Sequence, residues 1–248
     1  MTKSASRSPA AEALVPFVIE QNNATGAVSY WRDGAEQSEA DSSGVSLAEY
    51  NHAMYGLLRQ ARARRVLMLG CGGGTLATML HRAGAKVVAV EIDPAIVALA
   101  RGYFAMPDAI EIHVADGARF IARETRKFDA IVLDAYRGAE MPSHLVTAAF
   151  FAKAKARLAP GGIVLLNLIA GDDDDPLPHE IGSRMKTVWR NVRLLDRPGR
   201  TRRNAILVAG RVRDLKRPRL LMKPRRRAKA IAAALKTMRF CPVLDRSP

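Results

Sequence analysis

Along the 248 residues of the chain, short unbroken apolar runs alternate with longer stretches in which apolar positions return every three or four residues. The runs are RVLMLG, KVVAVEI, IEIHVA, FDAIVLDA, GIVLLNLIA, NVRLLD and NAILVAG. Runs of this length, rich in Val, Ile and Leu and bounded by Gly, Asp or Asn, read as strands covered on both faces, whereas PAIVALARGYFA and HLVTAAFFAKAKARL carry helical spacing. Strand and helix in alternation predict an α/β fold with a doubly wound, mainly parallel, seven-stranded sheet. Upstream, FVIEQ and AVSYWRDGAEQSEAD are broken by NNATG and RDG and predict a β-hairpin or small sheet. LAEYNHAMYGLLRQAR predicts a helix leading into the first strand. The expected organisation is a disordered, small and polar start at 1–13, an N-terminal β element and lead-in helix at 14–60, the α/β domain at 61–210, and a basic helix and tail at 211–248. In that last segment Ala228, Ile231, Ala232 and Leu235 recur at helical spacing.

Charge changes the picture only at the C-terminal end. The net charge is +15, but the segment from Arg211 to Phe240 holds 12 Lys or Arg and a single acid, Asp214, and so carries +11 of it. The body is close to balanced. The segment therefore reads either as a solvated helix face or as a patch for RNA or another polyanion. No apolar run approaches the roughly 20 residues of a bilayer span, and the start lacks a secretory apolar core, so a cytoplasmic protein without membrane contact is expected. The two cysteines, Cys71 and Cys241, suggest neither a disulfide framework nor a metal site. The five histidines, His52, His81, His113, His144 and His179, show no metal-ligand spacing, and no metal is expected.

The candidate chemistry starts at VLMLGCGGGT, where a strand runs into a loop that is nearly all glycine. After the first strand of such a sheet, glycines let a ligand approach the backbone while the next helix points its N-terminus at it. Gly70, Gly72 and Gly74 fit this use, although Thr75 stands where a dinucleotide fingerprint has its last glycine. Glu91 closes the second strand, where a carboxylate can accept from both ribose hydroxyls. Asp116 follows the third strand and can accept from an adenine amino group. Asp134 ends the fourth.

Taken together, VLMLGCGGGT, VVAVEIDP, VADGARF, FDAIVLD and LAPGGIVLLN resemble the S-adenosylmethionine-binding transferases of the class I methyltransferase fold. With DAYRGAEMPSHL, and with DGAEQS followed by a tyrosine 13 residues beyond Gln37, the chain resembles more narrowly the spermidine synthase family of polyamine aminopropyltransferases. The resemblance covers about residues 28 to 170. It implies a Rossmann-type, class I methyltransferase-like fold, with S-adenosylmethionine or its decarboxylated form as co-substrate. It implies Asp134 and Tyr50 as catalytic residues and Gln37, Gly70, Gly72, Gly74, Glu91, Asp116 and Gly117 as ligand-binding ones. In this chemistry an amine displaces a thioether from a sulfonium carbon, and a carboxylate beside a tyrosine hydroxyl takes the amine's proton.

Three positions depart from the family, each losing negative charge: Gly73 stands for an aspartate, His52 for a glutamate and Arg137 for a second aspartate. Ordinary S-adenosylmethionine thereby becomes an admissible co-substrate. The acids Asp172 to Asp175, after the strand GIVLLNLIA, are expected at the same sheet edge, either as a replacement acidic wall for the amine or as a solvated loop and helix cap. The leading function is transfer of an aminopropyl or other alkyl group to a small amine, with a homodimer among the allowed assemblies. A methyltransferase on another acceptor and a non-catalytic adenosyl- or RNA-binding relative stay open as alternatives.

Overall fold

The computed structural model of the protein describes residues 17–136, 138 and 140–244; the start at 1–13 and Arg137 lie outside the described residues. The chain opens with a three-stranded antiparallel meander, β1 (Phe17–Asn22), β2 (Ala27–Arg32) and β3 (Ala35–Ala40), and then enters α1 (Glu49–Gln60). All seven apolar runs are strands: β4 (Arg65–Leu69), β5 (Lys86–Glu91), β6 (Glu111–Val114), β7 (Phe128–Leu133), β8 (Leu158–Ala170), β9 (Val192–Asp196) and β10 (Arg203–Gly210). Between them lie α2 (Thr75–Arg82), α3 (Pro94–Tyr103), α4 (Gly117–Arg123), α5 (Ala148–Ala156) and α6 (Leu177–Lys186).

The strands form one sheet in the order β6-β5-β4-β7-β8-β10-β9, parallel from β6 through β8, with β10 antiparallel to both its neighbours. An eighth strand, β11 (Arg239–Cys241), extends it beyond β9. Its three residues, Arg-Phe-Cys, sit in a Lys/Arg-rich stretch where charge hides any strand pattern.

Both faces of the sheet are covered, as unbroken apolar runs require. Side chains alternate along β4, so Val66 and Met68 join the layer of α1 and α2, with Leu57, Leu58 and Met79. Leu67 and Leu69 join the opposite layer, with Ile121, Phe151 and Met185 of α4, α5 and α6. A smaller core under the meander joins Val28 and Tyr30 to Ile96, Leu99 and Phe104 around α3. A nearly buried ion pair, Arg32 to Asp93 at 3.1 Å, ties β2 to the N-terminus of α3, where Asp93 also accepts from the Ala95 N–H.

The basic segment is built into this body. Gln60 exchanges two hydrogen bonds with the backbone of Lys216, and Pro218 packs where Gly56 has no Cβ, which would lie 2.9 Å away. The segment then enters α7 (Ala228–Thr237), whose Ile231 and Leu235 are buried in the α1 layer. Each contributes about 1.5–3 kcal/mol of apolar burial. The Lys and Arg residues between these anchors face outward. Among the described residues no helix is long and apolar enough to cross a membrane.

Candidate active site at the switch between β4 and β7

Chain order reverses between β4 and β7: β5 and β6 continue to one side, and β8 to β10 to the other. In open α/β sheets a ligand crevice forms outside the strand ends at such a point. A cleft of about 1640 Å³ opens there. A pocket for one drug-sized ligand is about 300–1,000 Å³, so this one has room for two reactants side by side.

The glycine loop shapes one half. Gly70 has φ +90°, and a Cβ on it would lie 2.1 Å from the Asp134 carbonyl oxygen, so glycine is what lets the ends of β4 and β7 approach. Ser38 of β3 reaches across and accepts from the Gly73 N–H at 2.9 Å, fastening the meander to the loop. Glu91 braces the loop from the side: its Oε2 accepts from Cys71 N–H at 3.1 Å, and its Oε1 from the Ile92 and Asp93 N–H groups. A carboxylate has about four lone-pair sites. Three are taken, so a second ribose hydroxyl can be accepted only by releasing a backbone partner. Asp116 caps α4 through Arg119 N–H at 2.8 Å and meets His144 Nε2 at 2.8 Å, which leaves lone pairs for an adenine amino group. Burial raises its pKa, but these donors outweigh burial and hold it below the ordinary carboxylate value. Gly117, Ile92 and Leu145 complete this side, and a Cβ on Gly117 would meet only ordinary contacts.

Asp134 occupies the centre. Burial raises its carboxyl above the usual carboxylate range, and the donors Asn167 and Tyr50 offset this only in part. Asn167 Nδ2 donates to Asp134 Oδ1 at 2.8 Å, and Asn167 Oδ1 in turn accepts from Asn204 Nδ2 at 3.1 Å. Tyr50 comes from α1; burial first, then the Asp134 charge, push its hydroxyl well above the usual tyrosine value. Its neighbour Asn51 donates to Thr75 Oγ1 at 3.2 Å and joins α1 to the helix after the glycine loop. Tyr136 lies across the strand end; its hydroxyl donates to Asn167 O and accepts from Ile169 N–H.

Tyr50, Gln37, Gly70, Gly72, Glu91, Asp116, Gly117 and Asp134 all line this one cleft. Gln37 fixes its rim by donating to the Gly138 carbonyl at 3.1 Å. Gly74 does not line the cleft; its φ is +66°, and its Cβ direction is filled by Met106 Sδ at 2.4 Å. Its glycine serves the turn into α2 rather than a ligand. Gly73 is also turned away, toward the ring of Phe104, and an acid there would meet an aromatic core.

His52 is 1% exposed and lies off the cleft. Its Nε2–H donates to the Ser46 carbonyl at 2.7 Å, and burial lowers its pKa, so it is a neutral core histidine. Cys71, between the glycines, packs its sulfur 3.9 Å from Met106 Sδ, and burial pushes its thiol up to about 12. The acids Asp172 to Asp175 supply no wall. Asp175 accepts from Gly171 and Leu177 N–H, Asp172 from Asp174 N–H, and Asp173 from Gly199 N–H while pairing with Arg203. Asp172 and Asp175 satisfy the loop they belong to, and Asp173 ties it to the turn before β10. Asn167, absent from the sequence reading, had a signal there: it is the one polar side chain inside GIVLLNLIA.

The chain has counterparts among known proteins. A methyltransferase domain family model matches residues 66–162. A polyamine aminopropyltransferase of Chromobacterium violaceum is 36% identical over 129 residues, which are 50% of this chain and 49% of that one. The chain thus matches about half the length of that relative. In structure, a probable spermidine synthase from Corynebacterium glutamicum superposes with a TM-score of 0.75 at 22% identity, over 92% of this chain and 87% of the other. Human methyltransferase-like protein 13, solved in complex with SAH, superposes with a TM-score of 0.57 at 25% identity, over 76% of this chain and 91% of the other. The eight-stranded sheet with its switch-point cleft is therefore that of the class I methyltransferase fold, and over 129 residues, half of its length, the chain is similar in sequence to a polyamine aminopropyltransferase.

Proposed function

We propose that the protein transfers an alkyl group from an adenosyl sulfonium to the nitrogen of a small amine, with Asp134 taking the proton. The observation that carries this reading is Asp134 itself, a carboxylate with a raised pKa, oriented by Asn167 and facing the hydroxyl of Tyr50. It stands at the end of β7 beside the glycine loop, where the two halves of the cleft meet. An ionised aspartate in this enclosed place is costly without a cation or donor to meet it, and an incoming ammonium meets that need.

S-adenosylmethionine or its decarboxylated form supplies an electrophilic carbon on sulfur and leaves as the neutral thioether. The residues fit such a ligand: glycine at Gly70 and Gly72 keeps the loop open, Glu91 and Asp116 keep lone pairs toward the cleft, and Ile92 offers an apolar face. Asp134 and Tyr50 hold the ammonium, and Asp134 accepts its proton so that the nitrogen lone pair is free to form the new C–N bond as the C–S bond breaks. Holding both reactants in line supplies most of the remaining acceleration. Asp134→Asn keeps the shape and removes the base, so turnover on an amine should fall by roughly 100-fold with adenosyl affinity unchanged. Wild-type turnover in that variant would refute amine activation.

Methyl transfer is the second reading, favoured by the methyltransferase family match over residues 66–162. The outward Lys and Arg of the C-terminal segment support a contact with RNA or another polyanion, checked by salt-sensitive retention on RNA.

A further inference from the structure

The two halves of the cleft differ in charge. On the β4–β5–β6 side the charged groups are led by Glu91 and Asp116. On the β8–β10 side, the turn between β9 and β10 brings Arg197, Arg200, Arg202 and Arg203 to the wall. Two of these four are spent. Arg203 pairs with Asp196 at 2.8 Å and with Asp173 at 3.0 Å, and Arg197 pairs with Glu49 at 3.3 Å. Arg200 and Arg202 make no ion pair among the described residues, and both are exposed on either side of Thr201. Their backbone is fixed: the Arg200 carbonyl accepts from Arg203 Nη1, and the Arg202 N–H donates to the Gly171 carbonyl.

Two unspent guanidiniums flanking a hydroxyl on a fastened turn match a carboxylate or phosphate, because the planar fork donates in parallel to such groups. They do not match an ammonium. A diamine with one nitrogen at Asp134 would bring its second positive charge into a cleft walled by these arginines, and like charges repel, most strongly at low ionic strength. The acids that could have reversed the balance, Asp172 to Asp175, do not line the cleft: Asp172 and Asp175 bond within their own loop, and Asp173 is taken by Gly199 and Arg203. The other exposed acids at the cleft, Glu36 and Glu140, belong to β3 and to the segment after β7.

We propose that the acceptor is an amine that also carries an anionic group, a carboxylate or a phosphate, and that Arg200 and Arg202 bind this anion while Asp134 receives the nitrogen. This rests on the amine-transfer reading above and names its substrate class.

The test is calorimetric titration of the full-length protein, its adenosyl half filled with 5′-methylthioadenosine, at low ionic strength. The probes are 4-aminobutyrate, 3-aminopropyl phosphate and 1,4-diaminobutane. At least one anionic amine should bind at least tenfold more tightly than the diamine, and the two anionic arms separate carboxylate from phosphate. The double variant Arg200→Ala/Arg202→Ala should weaken that probe at least tenfold and leave thioether affinity unchanged. A diamine that binds most tightly, anionic amines that do not bind, or a double variant that binds them as the wild type does would each overturn the proposal. The two readings fail separately. Arginine-dependent anion binding with full turnover in Asp134→Asn removes amine activation alone. Loss of turnover on the diamine in Asp134→Asn, with no effect of the arginines, removes the anion site alone.

Discussion

Gly73→Ala separates packing from chemistry in the glycine loop. Gly73 has no positive φ, so only space decides the outcome. A Cβ there would lie 2.7 Å from Cδ1 and 2.9 Å from both Cε1 and Cγ of Phe104, whereas carbon contacts are optimal at about 3.5–4.0 Å. Phe104 is 1% exposed and packed among Val28, Ile96 and Leu99, so its ring cannot swing into solvent. Overpacking of this kind costs about 1–3 kcal/mol. In a chain of this size each kcal/mol lowers Tm by roughly 2–4 °C, so the expected loss is about 2–12 °C. Thermal unfolding of Gly73→Ala, Phe104→Leu and the double variant is the assay. The alanine should cost much less in the leucine background, with a coupling of about 0.5–3 kcal/mol. A Tm within a degree of wild type, or additive losses, would refute the packing argument. The same geometry places the side chain of Gly73→Asp against the ring, so the preference between S-adenosylmethionine and its decarboxylated form should not move. A shift toward the decarboxylated form would show that the carboxylate reaches the cleft.

The folded-state pKa of Asp134 lies above its unfolded value near 3.9. The stability it contributes is thus complete below that value and lost as pH rises through the folded one. At neutral pH Asp134→Asn should therefore raise Tm while silencing transfer, and wild-type kcat/KM should fall as pH drops through the raised pKa; a variant that melts lower would contradict the sign. Asn167→Ala removes a charge-assisted donor worth about 1.5–3 kcal/mol, so the acid limb of that profile should move to higher pH and turnover at pH 7 fall by about tenfold or more, with thioether affinity held. An unmoved limb would leave Asn167 structural. Glu91→Ala should weaken the adenosyl thioether by about 1–3 kcal/mol in calorimetry, and unchanged affinity would place the ligand elsewhere. Truncation after Gly210 should cost cooperative unfolding altogether, since Ile231, Leu235 and Met238 belong to the main core; a truncated chain with wild-type Tm would show that they do not matter.

The sheet was legible because each buried strand leaves an unbroken apolar run, and the strand-end positions of Glu91, Asp116 and Asp134 follow from where those runs stop. Side-chain direction was less legible. Nothing in GCGGGT tells that Gly72 faces the cleft while Gly73 and Gly74 back onto Phe104 and Met106, because both partners come from the segment after α3, about 30 residues on. His52 reads as a site residue close to Tyr50, yet positions two apart on a helix point about 200° apart, to nearly opposite faces, and only Tyr50 meets the cleft. The run of four aspartates looks like an electrostatic surface in one dimension. In three, Asp172 and Asp175 bond within their own turn, Asp173 is held by Gly199 and Arg203, and it is arginines of the next turn that line the cleft on this side.

The short eighth strand has a consequence for self-association. Exposed sheet edges invite pairing with other chains unless they are very short, charged or interrupted by proline. At one end of this sheet the edge is β6, four residues long with Glu111 at its start; at the other it is β11, three residues that begin with Arg239 and run into Pro242. Behind β11 lies β9, Val-Arg-Leu-Leu-Asp, with Leu194 and Leu195 buried and flanking backbone already paired on both sides. The basic C-terminal segment thus acts as an edge guard. Detaching it would bare a more apolar strand, and the first symptom would be strand-to-strand aggregation rather than loss of ligand.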